Sequence, residues 1–143
     1  MAETITPFNH TTKLFMDGSN AVGDTYKLIL YTALTFDATQ TTLAGLTGTE
    51  VTNANGYSTG GLALTGVTVT TVNTNGAKFD ADDAIWSATS SGISAVKGII
   101  ANATDANIPP LWYIDFDGTK TATAGNQFIV IWPATGIGVI GVV

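Results

Sequence analysis

Closely spaced aspartates come nearest to a catalytic or metal-binding pattern in this sequence. Asp80, Asp82 and Asp83 lie within four residues, and Asp115 and Asp117 alternate in a second segment. Alternating carboxylates on a strand share one face and could ligate Ca²⁺ through their oxygens. Neither segment has the spacing or the closing bidentate glutamate of a calcium loop. The pattern therefore favours edge charges and turn formers.

Nucleophilic and zinc chemistry lack their partner residues. There is no cysteine, and His10 is the single histidine, which excludes a Cys/His zinc site and a Cys–His pair. Ser58 precedes Thr59-Gly60-Gly61 without the strand–turn–helix context of a nucleophile elbow. No acid is singled out as a partner for glycoside hydrolysis. We expect no enzyme, with no catalytic, cofactor-binding or metal-binding residues, and we expect His10 to be a surface or capping side chain.

The charge balance argues against nucleic-acid binding, and the short apolar runs argue against a membrane-spanning segment. The chain has 5 lysines, no arginine and 11 acids, for a net charge of -6. Scattered lysines give neither a clustered positive face nor the bidentate forks that phosphates favour. No apolar run approaches the roughly 20 residues of a membrane helix, and the N-terminus lacks the basic start and apolar run of a secretory signal.

The tryptophans are the last candidates for a binding role. Trp86, Trp112 and Trp132 fall in or at the ends of apolar segments. That setting favours a place in the core. The alternative is a carbohydrate-binding module, which would expose them on a flat face as a platform for sugars.

The elements that position these residues are predicted to be strands. A chain of 143 residues fits one domain, and its threonines and 16 glycines are typical of strands and turns. Apolar alternation predicts about eight strands. They are Thr25 to Thr32, Glu50 to Asn53, Leu62 to Val72, Ala77 to Trp86, Ile93 to Ala101, Leu111 to Phe116, Phe128 to Trp132 and Ile137 to Val143. We predict an all-β fold, an antiparallel β-sandwich that is jelly-roll-like or immunoglobulin-like.

Some local features of these elements are predicted as well. Residues 33–48 should form a surface loop, and Gly66 a bulge or break within its strand. Asn75-Gly76 and Asp117-Gly118 have the composition of tight turns. The nearly all-apolar segment from Phe128 to Trp132 should be buried on both faces.

The first 22 residues are the least strand-like part of the chain. We divide the chain into an N-terminal arm, 1–22, and a single β-sandwich domain, 23–143. The arm is predicted to be irregular or to contain a short helix around Leu14 and Phe15 that ends near Gly18. Phe8 and these two residues would then cover a sheet edge or a neighbour. An extended arm that becomes ordered on binding is the alternative.

Several segments form a recognisable series when they are taken in order. The segments are Gly23 to Thr32, Glu50-Val51 with Gly56 to Gly61, Asp83 to Trp86, Tyr113 to Gly118 with Thr123 to Gly125, and Phe128 to Pro133. In this order they resemble a family of small virion structural proteins of tailed bacteriophages. Their order spans most of the chain beyond residue 22. The sequence departs from the family pattern at Asn126, where an acid often follows the glycine.

The resemblance implies a non-enzymatic component of the virion. Its first implication is a capsid cement or decoration protein that stabilises the head by binding across capsomer junctions. A tail, tail-fibre or head-fibre component is the alternative. The implied partners are the major capsid protein or other virion proteins, together with further copies of the chain, with a trimer favoured. The apolar segment from Ile137 to Val143 is a candidate for the contact between copies.

Overall fold

Runs of β-branched and aromatic residues between glycine- and asparagine-rich turns make most of this chain extended. The computed structural model describes residues 3–72 and 76–141, which contain eleven strands and one α-helix. In chain order these are β1 (Thr4–Pro7), α1 (Thr11–Met16), β2 (Tyr26–Thr35), β3 (Thr47–Glu50), β4 (Leu62–Ala63), β5 (Thr68–Thr71), β6 (Gly76–Asp80), β7 (Ala84–Ser87), β8 (Ile93–Asn102), β9 (Pro110–Ala122), β10 (Gln127–Val130) and β11 (Gly138–Gly141). Among the described residues, no helix has the length and apolar character needed to cross a bilayer.

The largest sheet has the strand order β1-β9-β8-β2-β3, and β4 pairs with the first part of β2. Tyr26, Leu28 and Leu30 are fully buried on one face of β2. The central position predicted for this strand is therefore confirmed. Every strand pair in the described residues is antiparallel.

Two smaller sheets form the second layer of the sandwich. One pairs β10 with β7, and the other has the order β11-β6-β5. One buried cluster joins residues of all three sheets, including Trp112 of the large sheet, Phe79 of β6 and Phe128 of β10. The rings of Phe79 and Trp112 stack with centroids 4.7 Å apart. This shared core confirms the predicted antiparallel β-sandwich.

The opposite face of the large sheet carries a second, smaller cluster. Ile29 and Ile99 are buried there although they face away from the main core. The loop that follows β2 covers them, and its Phe36 stacks on Tyr113 with ring centroids 4.5 Å apart. The loop also contains a 3-10 turn, Leu43–Gly45. The predicted loop is present, but it is shorter than 33–48 because β2 runs on to Thr35.

The N-terminal segment packs on the sandwich and does not extend from it as an arm. β1 pairs with β9 in the register Thr4↔Asp115, and Phe8 is 2% exposed. The short helix is confirmed, and the ring of Phe15 lies 5.9 Å from that of Trp112. The physical reason is that burying an aromatic side chain is worth about 1.5–3 kcal/mol over leaving it in water.

The single strand predicted from Ala77 to Trp86 is wrong. The chain leaves one small sheet at Asp80, and β7 starts in the other small sheet at Ala84. The connection is held by side chains, since the Asp83 carboxylate accepts a hydrogen bond from the Trp132 amide at 3.0 Å. Apolar alternation continued through a change of sheet, so the pattern alone did not mark the crossing.

The turn predicted at Asp117-Gly118 is also wrong. Both residues have positive φ, 54° and 102°, but they form a bulge inside the long strand β9. The pairing with β8 shifts here, from Lys97↔Asp115 to Ala95↔Lys120. Two residues with positive φ can form either a hairpin turn or a bulge. They form a bulge here because β8 is long enough to pair with β9 on both sides of them.

The remaining differences lie at element ends. The predicted edge strand Glu50 to Asn53 lies earlier, at Thr47–Glu50, and remains an edge. The break at Gly66 is confirmed, since it separates β4 from β5. The Asn75 half of the predicted Asn75-Gly76 turn and the last two residues of the predicted C-terminal strand lie outside the described residues.

Candidate interaction surface

The outer face of the β7–β10 sheet carries exposed isoleucines. Ile129 lies directly opposite Ile85 across the two strands, and Ile131 follows on the same side. Their exposed fractions are 44%, 46% and 65%. We call Ile85, Ile129 and Ile131 the isoleucine strip.

The isoleucine strip corrects the expectation that Phe128 to Trp132 is buried on both faces. The even residues Phe128, Val130 and Trp132 point into the core, while the odd isoleucines point outward. The two-stranded sheet belongs to the second layer of the sandwich, and the exposure of these isoleucines shows that the described residues leave its far face open. Isoleucine suits a strand whether or not it is covered, and the sequence pattern could not separate the two cases.

The strip itself is apolar, and charged side chains lie at its margins. Glu3 and Lys120 line a depression that includes Ile129, and the Asp83 carboxylate accepts a hydrogen bond from the amide of Trp132, next to Ile131. The neighbouring outward pair across the two strands is Gln127 and Ser87. An apolar centre with charged and polar side chains at its margin has the composition of a protein interface. The arrangement therefore fits a protein-binding surface.

The closely spaced aspartates make local contacts. Asp80 pairs with Lys78 at 3.1 Å, and Asp82 accepts a hydrogen bond from the Thr65 hydroxyl at 3.0 Å. Across the described residues, no group of three or more metal-ligating side chains comes together. The contacts of Asp80 and Asp82 lie within or between neighbouring segments of the sandwich.

Asp115 belongs to a different contact, with Lys97 on the neighbouring strand. Their charged atoms lie 2.6 Å apart. The hydrogen bond from Lys97 lowers the pKa of Asp115, and the same bond raises the pKa of Lys97. The Asp115 carboxylate also accepts from the Asp117 amide at 2.9 Å, which holds the bulge in β9.

His10 is half-buried and has a structural contact. Its Nε2 lies 2.6 Å from the Pro110 carbonyl oxygen. The neighbouring Thr11 hydroxyl donates to the Leu111 carbonyl at 2.6 Å. Together they fix the start of α1 on β9. His10 occupies the N-cap position, but its side chain makes no capping hydrogen bond to the helix and instead contacts β9, so the expected surface or capping role is not what the structure shows.

The tryptophans are buried, as predicted. Trp86, Trp112 and Trp132 are 4%, 1% and 7% exposed. The Trp132 indole N–H donates to the Asp82 carbonyl at 2.9 Å. None of the three supplies the exposed platform on which the carbohydrate-binding alternative depended.

The described part of the C-terminal segment is mostly buried in the core. Ile137 and Ile140 are 3% and 8% exposed, and Val139 faces outward at 38%. Residues 142–143 of the predicted contact lie outside the described residues. Among described residues, the isoleucine strip offers more exposed apolar surface for a contact between copies.

The segment Gly56 to Gly61, part of the family resemblance, forms a buried tie between β2 and β3. The Tyr57 hydroxyl donates to Glu50 Oε1 at 2.7 Å and accepts from the Leu30 amide at 3.1 Å. The Gly60 amide donates to the same Glu50 oxygen at 2.6 Å. Burial raises the pKa of Tyr57 well above its usual range, so the hydroxyl stays protonated as a donor.

Replacing Tyr57 by phenylalanine should lower the free energy of unfolding by about 1–3 kcal/mol, because the Leu30 amide and Glu50 would lose a buried partner. Urea denaturation followed by fluorescence measures the loss. Ser58→Ala, at an exposed neighbour in the same turn, should stay within about 0.5 kcal/mol of wild type. Equal effects of the two variants would contradict the assignment of the tie.

Sequence reasoning missed the isoleucine strip. The one available signal was the odd-numbered isoleucine pair inside a segment that also has a complete even-numbered apolar face. Comparison with protein-family models, curated proteins and solved structures gave no match for this chain.

Proposed function

We propose that this chain is a non-enzymatic structural protein of a bacteriophage virion, a capsid decoration protein that stabilises the head by binding across capsomer junctions. The proposal starts from the ordered segments that resemble small virion proteins of tailed phages. The structural observation that supports it is the isoleucine strip, an exposed apolar face of the β7–β10 sheet.

The strip is assigned to contacts between copies of the chain. A net charge of -6 makes copies repel one another, so a contact between copies must be stabilised by buried apolar area, which the strip supplies. Strips from several copies can meet about a symmetry axis and exclude water from all of them. A trimer, the state that the resemblance favours, would then bind the particle through several weak contacts at once.

The location on the particle is tested with virions from the phage that encodes the chain. Protein mass spectrometry of purified virions should detect the chain, and antibody-gold labelling should place it on the head. Labelling confined to the tail or fibres would replace the decoration role by the alternative that the resemblance allows. Absence from virions would contradict the whole proposal.

Ile129→Lys should weaken binding of the recombinant protein to particles that lack it. The lysine would place a charge in the centre of the strip, so the protein would lose association and the multivalent binding that depends on it. We expect at least a tenfold weaker apparent affinity in co-sedimentation.

The matched control is Val22→Lys, at a residue 51% exposed outside the strip. It adds the same charge and should leave binding unchanged. Equal binding by both variants would remove the strip from the proposal.

A further inference from the structure

A cleft of about 550 Å³ opens on the face of the large sheet opposite the main core. Its floor is made by Tyr31 of β2 and Glu50 of β3, and its walls come from the loop after β2 and from residues just before β9. We call it the Tyr31–Glu50 cleft. The apolar wall residues are Leu43, Ala44, Leu46, Ala106 and Ile108.

The two polar floor residues are neighbours in one row of the sheet. Tyr31 pairs with Glu50 on one side and with Lys97 on the other. Tyr31 is 7% exposed, and its hydroxyl has no hydrogen bond to a described residue. Burial, with a smaller contribution from the charge of Glu50, raises the pKa of Tyr31 to about 12. The hydroxyl is therefore neutral and available at the cleft floor.

Glu50 has one carboxylate oxygen to spare. Its Oε1 accepts from Tyr57 and Gly60, while Oε2 has no partner among the described residues. Lys97, the lysine in the same row, is held by Asp115 at 2.6 Å. The cleft therefore has a negative charge at its floor that the described part of the chain does not neutralise with an ion pair.

The apolar walls are held in place by the backbone. Leu43 donates its amide to the Ile108 carbonyl at 3.0 Å, which joins the two walls. Ile108 has a φ of 46°, a left-handed conformation that costs a β-branched residue about 1–3 kcal/mol. The strained residue lies at the cleft, where it places its side chain on the wall.

We propose that the Tyr31–Glu50 cleft binds a primary ammonium group carried on an apolar stem. The ammonium donates to Glu50 Oε2 and to the Tyr31 oxygen, and the stem lies against Leu43, Leu46 and Ile108. A lysine side chain of a partner protein and a free alkylamine share this chemistry. The site is separate from the isoleucine strip and does not depend on the proposed virion role.

The test uses the full chain and three probes, hexylammonium, the neutral 1-hexanol and the peptide acetyl-Gly-Lys-Gly-amide. Titrations followed by two-dimensional NMR should give saturable shifts at the amides of Tyr31, Leu46 and Ile108 with hexylammonium. Hexanol should bind at least tenfold more weakly, because it cannot pair with the carboxylate. Tighter binding of the peptide than of hexylammonium would identify a protein lysine as the source, and the reverse order would identify a free amine.

Two variants separate the site from general attraction to an acidic protein. Glu50→Gln should weaken hexylammonium binding about tenfold, while Asp117→Asn, which removes the same charge from an exposed bulge, should not. Ala44→Trp fills the cleft from an exposed position and should abolish binding in a folded protein. Equal binding of hexanol and hexylammonium, an equal effect of Glu50→Gln and Asp117→Asn, or no saturable shift would overturn the proposal.

Discussion

Deleting residues 1–22 should leave a chain that is mostly unfolded at 25 °C. The deletion removes β1 from the edge of β9 and takes Phe8 and Phe15 out of the two apolar clusters. Losing a buried phenylalanine lowers the free energy of unfolding by about 3–5 kcal/mol. The whole free energy of unfolding of a domain is only about 5–15 kcal/mol. Circular dichroism and tryptophan fluorescence measure the outcome.

The control for this deletion keeps the segment and changes only its exposed surface. Met16→Ser, at a residue 77% exposed, should shift the unfolding midpoint little, since surface changes usually stay within about 0.5 kcal/mol. A truncated protein with a native spectrum and an unchanged midpoint would contradict the assignment of residues 1–22 to the folded core.

Replacing Gly61 by alanine should lower the free energy of unfolding by more than about 3 kcal/mol. Gly61 has a φ of 78°, and an added Cβ would overlap the Leu28 carbonyl oxygen of β2. A left-handed conformation costs an alanine about 1–2 kcal/mol by itself. The contact with main chain adds to this, because a central strand cannot move aside without breaking its pairing.

The neighbouring glycine supplies a matched control. Gly60 has a φ of 90°, but a Cβ there would meet no atom within 4 Å. Gly60→Ala should therefore lower the free energy of unfolding only by the cost of a left-handed backbone conformation, about 1–2 kcal/mol. Equal losses for the two variants in urea denaturation would contradict the close approach of Gly61 to β2.

Strands whose pattern depends on local alternation were predictable. The even residues of β2, from Tyr26 to Leu30, gave the buried face correctly, and their parity alone was enough. Both β2 and β10 are apolar on both faces, but only β2 is covered on its second face. The loop with Phe36 and Leu43 covers the second face of β2, while the described residues leave that of β10 open. Coverage depends on distant parts of the chain, so period and composition cannot supply it.

The sequence indicated some of the residues of the candidate sites but not the contacts between them. The segment Gly56 to Gly61 and Glu50 both belong to the sequence segments that carry the family resemblance, but the hydrogen bonds that join them depend on the fold. The Tyr31–Glu50 pair of the cleft depends on the register of β2 with β3, which shifts between Tyr31 and Ala33. A shift of one residue would send one of these side chains to the other face.

The most direct test of the account is the mass of the protein in solution at tens of micromolar, measured by light scattering. We predict a multiple of the 14.7 kDa chain mass for the wild type, and a lower mass, down to the monomer, for Ile129→Lys with an unchanged unfolding midpoint. A wild-type protein that stays monomeric, or an Ile129→Lys variant that keeps the wild-type mass, would contradict the claim that copies associate through the isoleucine strip.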